Sequence, residues 1–371
     1  MSRRATACAL ATLALAVGAC GRYGPPQRAP LVAHPPAGAP GATPGSAAPA
    51  TPAPPAAGTQ SPAPPVAPED EGDDDDLDPD AMGRELDFAK MHGAGNDFVV
   101  LDGLRGELPA LVGSGLALDE LARRLLDRRL GIGGDQLLIA WPSSAADFRM
   151  EIFNPDGSRA EMCANGIRAF TKWLRDRGYS ARDELAVETL GGVVRPRWAG
   201  RDLVTVDMGL PVFAPERIPT RLGAPGTGPV LDAPLEVDGA RWQVSSVSMG
   251  NPHAVLFVDD VETAPVASLG PRIERHPAFP NRVNVEFVER VDRTRLRQRT
   301  WERGTGETLA CGSGACAVAV VSILRGVADR ELTIALRGGE LRIAWPANDA
   351  SVIMTGPATE VYTGRISLEG G

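Results

Sequence analysis

Two cysteines stand in matching contexts 148 positions apart, at 163 and 311. The first follows Phe153-Asn154-Pro155-Asp156-Gly157-Ser158-Arg159-Ala160-Glu161-Met162 and leads into Ala164-Asn165-Gly166-Ile167-Arg168-Ala169-Phe170. The second follows Trp301-Glu302-Arg303-Gly304-Thr305-Gly306-Glu307-Thr308-Leu309-Ala310 and leads into Gly312-Ser313-Gly314-Ala315-Cys316-Ala317. In each, a polar turn containing glycine gives way to a thiol, then to small or polar residues, then to an apolar run of helical length. That order puts a cysteine at a helix start, where first-turn N–H groups lack intrahelical partners and the helix dipole is positive. A thiolate is stabilised there and its pKa falls. The same N–H groups suit a carboxylate, and Ala164, Asn165, Gly312 and Ser313 are small or polar enough to let one come close. Two thiols on opposite sides of one carbon would take a proton from one face and return one to the other. That is racemase or epimerase chemistry without a cofactor.

Other uses of cysteine fit less well. Cys316 lies in an Ala/Val-rich helical run and reads as a small buried hydrophobe. Neither Cys163 nor Cys311 has a Cys or His partner at metal-ligand spacing, so no metal is expected. A structural disulfide between the two requires an oxidised site.

These cysteines need elements to hold them, and the chain repeats those elements. Gly95-Asn96-Asp97-Phe98-Val99-Val100-Leu101-Asp102 is echoed by Gly250-Asn251-Pro252-His253-Ala254-Val255-Leu256-Phe257-Val258-Asp259, with the asparagines 155 positions apart. Nearly equal periods for the asparagines and the cysteines point to an internal duplication. Leu86 to Asp102 reads as strand, Gly-rich turn, strand. Residues 119–130 carry apolar groups at helical spacing with Asp119 as the expected N-cap, and Gly131 to Asp135 forms a loop entering a buried strand at Gln136. Short strands with few helices between them give a mixed α/β or α+β class.

Composition excludes several alternatives. The formal net charge is −9, from 47 acidic and 38 basic residues, yet nine acidic and no basic residues fall between Glu69 and Asp80. Without that tract the chain is balanced and has no Lys/Arg cluster, which argues against a nucleic-acid partner. Five widely spread cysteines do not form the framework of a small secreted domain. Sixteen of the 33 prolines lie between residues 21 and 80, so residues 21–85 are expected to be a disordered, Pro/Ala-rich and then acidic linker. Residues 1–20, with Arg3, Arg4, an apolar stretch and small residues before Cys20, resemble a lipoprotein signal in which Cys20 would carry a lipid anchor.

From about Phe88 onward the sequence resembles the diaminopimelate epimerases, cofactor-independent racemases with two cysteines. The motifs that carry the likeness are MHGAGNDF, GIGGDQ, FNPDGSRAEMCANG, SMGNPH, NRVNVEF and WERGTGETLACGSGA. The resemblance implies two pseudo-symmetric domains, 86–208 with 357–371 and 209–356, each a mixed sheet wrapped around a central helix, with the active site in the cleft between them. It implies that Cys163 and Cys311 are the acid/base pair and that backbone at Ala164, Asn165, Gly312 and Ser313 holds the reacting carboxylate. Asn96, Gln136, Asn154, Asn251, Asn284, Glu302 and Arg303 match residues that complete the pocket or grip the distal end of diaminopimelate. His253 and Glu302 match groups that assist thiol ionisation. A homodimer in the cytoplasm is the family's expectation.

The distal centre of diaminopimelate is a zwitterion, for which Arg303 supplies a bidentate donor and Glu302 and amide oxygens supply acceptors. Each of these residues has a plainer reading beside it. Asn96 suits a left-handed turn, Gln136 satisfies loop backbone, His253 is an ordinary packed histidine, and His92 is structural. Ala164 stands where a glycine often follows the first cysteine, which matters only if that position needs positive φ. Two other functions remain open: a racemase or isomerase of the same fold acting on proline, hydroxyproline or another amino acid, and a tethered protein that binds amino acids without chemistry. A lipoprotein signal would carry two facing thiols into an oxidising compartment, whereas a start at Met82 would place the MHG motif near the N-terminus.

Overall fold

A computed structural model describes residues 85–368. The expected signal segment, Cys20, Met82 and all of the expected linker except Glu85, which opens the first strand, lie outside those residues. In chain order the first half contains β1 (Glu85–Gly93), β2 (Asn96–Asp102), α1 (Leu108–Gly113), α2 (Leu118–Leu126), β3 (Gln136–Trp141), β4 (Phe148–Phe153), α3 (Ala164–Asp176), β5 (Val187–Thr189) and β6 (Gly192–Val194). The second contains β7 (Arg197–Gly200), β8 (Leu203–Asp207), β9 (Val230–Val237), β10 (Ala240–Ser248), β11 (Pro252–Val258), α4 (Val266–Glu274), β12 (Asn284–Arg290), β13 (Arg295–Glu302), β14 (Gly306–Thr308), α5 (Gly312–Leu324), β15 (Glu331–Leu336), β16 (Gly339–Ala344), β17 (Ile353–Pro357) and β18 (Thr359–Ser367).

The strands form two sheets. One has the order β18-β1-β2-β3-β4-β5-β6; the other runs β7-β8-β17-β16-β15-β13-β12-β11-β10-β9, with β14 paired to β13. The chain crosses between them after Val194, and its last strand returns to pair with its first, Leu86 opposite Ile366. The class is α+β with two sheet-rich domains.

The repeat heard in the sequence is a repeat of topology. In the first half β1/β2 is antiparallel, β2/β3 parallel across α1 and α2, and β3/β4 antiparallel, after which α3 leads to parallel β4/β5. In the second half β10/β11 is antiparallel, β11/β12 parallel across α4, and β12/β13 antiparallel, after which α5 leads to parallel β13/β15. Each cysteine therefore occupies the same place in its half, between an antiparallel pair and a parallel crossover.

The two central helices are buried for different reasons. α5 is apolar on every side, with each residue from Gly314 to Ser322 buried, as a helix enclosed by its own sheet must be. α3 buries Ile167, Ala169, Phe170, Trp173 and Leu174 but also Arg168. Both helices share one core with the facing sheet surfaces, while α1 with α2 and, separately, α4 cover the outer faces. Truncating Phe170, which is fully buried, to Ala would cost about 3–5 kcal/mol.

Local details depart from sequence expectation in two places. The hairpin between β1 and β2 turns on Ala94 and Gly95, both at positive φ, so Asn96 is spared the left-handed position and is free to project its amide. Helix α2 begins at Leu118 with Ala117 at its N-cap, and Asp119 sits in the first turn paired with Arg123. It also ends at Leu126, because the Asp127 carboxylate accepts the N–H groups of Arg129 and Leu130 and turns the chain. No described helix is long and apolar enough to cross a membrane.

Candidate active site

The starts of α3 and α5 meet at a cavity of about 880 Å³. Cys163 and Cys311 are the N-caps, both with extended backbone (φ −136° and −122°). Cys163 Sγ accepts the Gly166 N–H at 3.3 Å, the bond that a Ser or Asp usually makes at this position. Cys311 Sγ lies 3.6 Å from Ser313 Oγ. Both thiols are buried and outside any disulfide. The helix starts approach so closely that a β-carbon on Gly312 would stand 3.4 Å from Ala164 Cβ and from Asn165 Oδ1. Ala164 is an ordinary helical residue without positive φ, so its methyl group does not disturb the backbone.

Around Cys163 the first half supplies a polar cluster. Asn96 Oδ1 lies 3.7 Å from Cys163 Sγ and accepts from Asn165 Nδ2 at 3.2 Å, while Asn96 Nδ2 donates to Asp135 Oδ2 at 2.6 Å. Arg128 spans Asp97 and Asp135, and Lys90 Nζ donates to Asp97 at 2.6 Å and to the Gly133 carbonyl. Burial pushes the Asp135 carboxyl up to about 7, against the Asp97 N–H that favours its charged form. His92 Nδ1 accepts the Gly95 N–H at 3.3 Å, which fixes the hairpin turn.

The second half surrounds Cys311 with carboxylates. Burial drives the Cys311 thiol well above its ordinary value; charge on Glu302 and Glu286 adds to this, and the Ser313 hydroxyl and the Gly314 N–H oppose it. Glu302 accepts the Thr308 hydroxyl at 2.6 Å and is itself pushed up to about 8, chiefly by burial. His253 is fully buried, with Nδ1 2.8 Å from Glu286 Oε1 and Nε2 2.9 Å from Asn251 Oδ1. Glu286 Oε2 accepts from Gln298 and Thr300. A buried chain of polar groups thus runs from the sheet to the first turn of α5, where a β-carbon on Gly314 would stand 2.6 Å from Glu286 Oε1.

The residues singled out in the sequence divide into two shells. Asn96, Gln136, Ala164, Asn165 and Asn251 line the cavity with both cysteines, and so do Glu302, Gly312 and Ser313. Asn154, His253, Asn284 and Arg303 are not part of that lining. Asn154 accepts from Gln136 Nε2 at 3.0 Å, and Asn284 Oδ1 accepts the Arg303 N–H at 2.8 Å while its own amide donates to the Pro252 carbonyl. Arg303 is half-buried and donates to the Asn281 carbonyl. Sequence reasoning passed over Asp135 and Glu286, although both lie inside the motifs GIGGDQ and NRVNVEF; neither residue type at those positions announces its burial.

This arrangement can bind a small zwitterion. Two helix starts present unpaired N–H groups to one point, where an anion is favoured. Gln136 Oε1 and Asn165 Oδ1 are buried without a hydrogen-bond partner, and both residues line the cavity; such acceptors call for donors, as an ammonium group provides. Among the described residues no group of three or more His, Cys, Asp or Glu side chains is arranged to hold a metal ion.

Comparison with known proteins gives a consistent answer. The profile of the diaminopimelate epimerase family matches residues 88–214 and 245–361. A diaminopimelate epimerase from Moorella thermoacetica is 50% identical over 289 residues, covering 76% of this chain and all of its own length. One from Acetivibrio thermocellus is 46% identical, covering 76% of this chain and 98% of itself. Among solved structures, a phenazine biosynthesis protein of the PhzF family from Bacillus anthracis shares the fold, with a TM-score of 0.56, 16% identity, and coverage of 77% of this chain and all of that one. A hydroxyproline epimerase from Agrobacterium vitis, solved with trans-4-hydroxy-L-proline, has a TM-score of 0.54 and 18% identity and covers 77% of this chain and 94% of its own.

Proposed function

This chain belongs to the diaminopimelate epimerase family, an isomerase family, and from that membership we propose that it interconverts LL- and meso-2,6-diaminopimelate through proton transfer between Cys163 and Cys311. The observation that carries the reading is that two buried thiols cap the two helix starts that meet at one cavity. A thiolate on one side removes the α-proton. The electron pair moves onto the adjoining carboxylate, and the unpaired helix N–H groups stabilise the charge that develops there. The opposite thiol then gives its proton to the other face of the carbon. Substrate leaves inverted, and the two sulfurs have exchanged protonation states.

The other residues take supporting roles in this proposal. Backbone at Ala164, Asn165, Gly312 and Ser313 holds the reacting carboxylate. Gln136 and Asn165 offer their orphaned oxygens to ammonium groups, and Asn96, Asn251 and Glu302 complete the wall. Asn154 orients Gln136. Asn284 holds the backbone of Arg303, which stands next to Glu302 for the distal carboxylate. His253 acts through Glu286 on the start of α5. A homodimer, a cytoplasmic location and a place in lysine and peptidoglycan precursor synthesis belong to the same reading, with anchoring through Cys20 as the alternative for location.

The test is solvent exchange. Wild-type protein in deuterated water should introduce deuterium at the α-carbon of LL-diaminopimelate as meso product forms, and Cys163→Ala and Cys311→Ala should each lower turnover by about a thousandfold or more. Binding of diaminopimelate without exchange would leave a binding protein. Faster turnover of proline or hydroxyproline would move the chain to a related racemase.

A further inference from the structure

Asp135 stands where the turns that lead into β2 and β3 touch. Parallel pairing of those strands begins with Phe98 opposite Gln136, so Asp135 lies beside Asp97, one step before it. The Asp135 N–H donates to the Asp97 carbonyl at 2.8 Å, and the Asp97 N–H donates to Asp135 Oδ2 at 3.1 Å. Arg128 Nη2 donates to Asp135 Oδ1 at 2.8 Å. With its carboxylate fixed in this way, Asp135 also accepts from Asn96 Nδ2, at 2.6 Å on Oδ2. All three groups that meet the carboxylate are donors, so it serves each of them as an acceptor.

That settles which way the Asn96 amide points. With Nδ2 on Asp135, its Oδ1 faces the start of α3, where it accepts from Asn165 Nδ2 at 3.2 Å and has the Cys163 thiol as a donor at 3.7 Å. The opposite orientation would set the amide oxygen against a carboxylate oxygen and the amide nitrogen against that of Asn165. Cys163 Sγ also accepts the Gly166 N–H at 3.3 Å; a thiol does both, whereas a thiolate has no hydrogen to give Asn96. An acceptor aimed at the S–H favours the neutral form. The other ionisable groups near the sulfur come from several elements. Glu302 of β13 is held up at about 8 and Cys311 at the start of α5 is driven well above its ordinary value, both chiefly by burial. Arg168 of α3 donates back to the Ala164 carbonyl at 3.2 Å, and His92 Nδ1 accepts the Gly95 N–H in the hairpin. Lys90 is paired with Asp97, and Arg128 with Asp97 and Asp135.

We propose that Asp135 is a positioning residue for proton transfer, which turns the Asn96 amide so that its oxygen holds Cys163 as the thiol in the resting enzyme. Cys163 is then the sulfur that gives its proton to the carbon and keeps the S–H electron pair. The inference deepens the acid/base role proposed for Cys163 and rests on it, and its test reads the sulfur directly, without turnover.

The full chain is treated with iodoacetamide over a pH series that starts above the value of about 7 to which burial pushes the Asp135 carboxyl, and alkylation of the Cys163 peptide is followed by mass. In the wild type the midpoint should fall at or above the ordinary thiol value of about 8.5. Asp135→Ala frees the Asn96 amide to turn its N–H towards the sulfur, which should lower the Cys163 midpoint by about one unit and make alkylation below it about tenfold faster. Asp135→Asn removes the same charge but keeps an oxygen for Asn96 Nδ2, so its midpoint should stay near that of the wild type, and the Cys311 midpoint should stay in place in both. A wild-type Cys163 midpoint below about 8.5 overturns the proposal and needs no variant to fold. So do equal Cys163 midpoints in the two folded variants, shifted or not, because charge alone cannot tell alanine from asparagine. If the midpoints move as expected but Cys163→Ala still turns over substrate, the acid/base reading fails and the orientation of Asn96 stands.

Discussion

Gly312 and Ala164, the first residues of α5 and α3, face each other so closely that a β-carbon on Gly312 would stand 3.4 Å from that of Ala164. A methyl group there would make ordinary contact with Ala164 and Asn165 and press only on the Met354 sulfur at 3.3 Å, so there is room for little beyond a methyl, and backbone freedom is not at issue because the φ of Gly312 is not positive. The separation of the two helix starts sets the gap into which a reacting carbon must fit.

Gly312→Val should therefore push the helix starts apart. Displacements of about 1 Å cost on the order of a hundredfold in rate, so kcat should fall by about that factor in steady-state assays. A kcat within twofold of wild type would show that the gap is not set here.

The pH dependence of stability should carry the mark of Glu302. Its carboxyl is raised from 4.5 to about 8 in the folded protein, so between those values the native state binds more protons than the unfolded chain. Its contribution is complete below pH 4.5 and is lost as pH rises towards 8. Glu302→Gln keeps an oxygen for the Thr308 hydroxyl and removes the titration. Urea denaturation of the variant should show a flatter fall in stability from pH 5 to 8 than wild type; parallel curves would contradict the assignment.

Gly314 and Glu286 should couple in a double-mutant cycle. Gly314→Ala places a methyl group 2.6 Å from Glu286 Oε1, where overpacking costs about 1–3 kcal/mol. Shortening the carboxylate with Glu286→Asp withdraws the obstacle, so the double variant should be more stable than the sum of the single losses implies. Strict additivity in chemical denaturation would mean that the carboxylate yields freely.

Oxidation should join the two thiols at the facing helix starts. Cys163 and Cys311 cap facing helix starts, and a mild two-electron oxidant would take one hydrogen from each sulfur as the disulfide forms. Inactivated protein should lack two hydrogens in the peptide pair that contains Cys163 and Cys311, and dithiothreitol should return activity. Inactive protein with both thiols still free would argue against their proximity.

The cysteines were legible because each closes a polar turn and opens an apolar run, and helix capping turns that local pattern into a position. The duplication was legible too, since it leaves paired signatures at nearly equal periods. What depended on partners far along the chain was hidden. Glu286 reaches His253 because β11 and β12 run parallel with His253 opposite Asn284, and nothing within NRVNVEF marks that glutamate as buried. Nothing in the sequence sets Arg168 apart from Lys172 and Arg175 of the same helix, and only Gly93 and Gly356, brought in by other strands, reveal a chamber around it. The sequence pattern points to Asp119 as the N-cap because Asp is favoured both there and in the first turn, and its pair with Arg123 belongs to the latter.

The return of β18 to the edge of β1 bears on how the protein is made. Synthesis delivers β1 first, yet its neighbour on one side is encoded after all the strands of the second sheet. On the ribosome the first sheet must wait with an open edge while the 11 described strands of the second sheet emerge ahead of its closing one, a state prone to pairing with other chains. A nascent chain stalled before Thr359 would expose that edge, so the final strand is a checkpoint of completion for the half of the molecule that was built first.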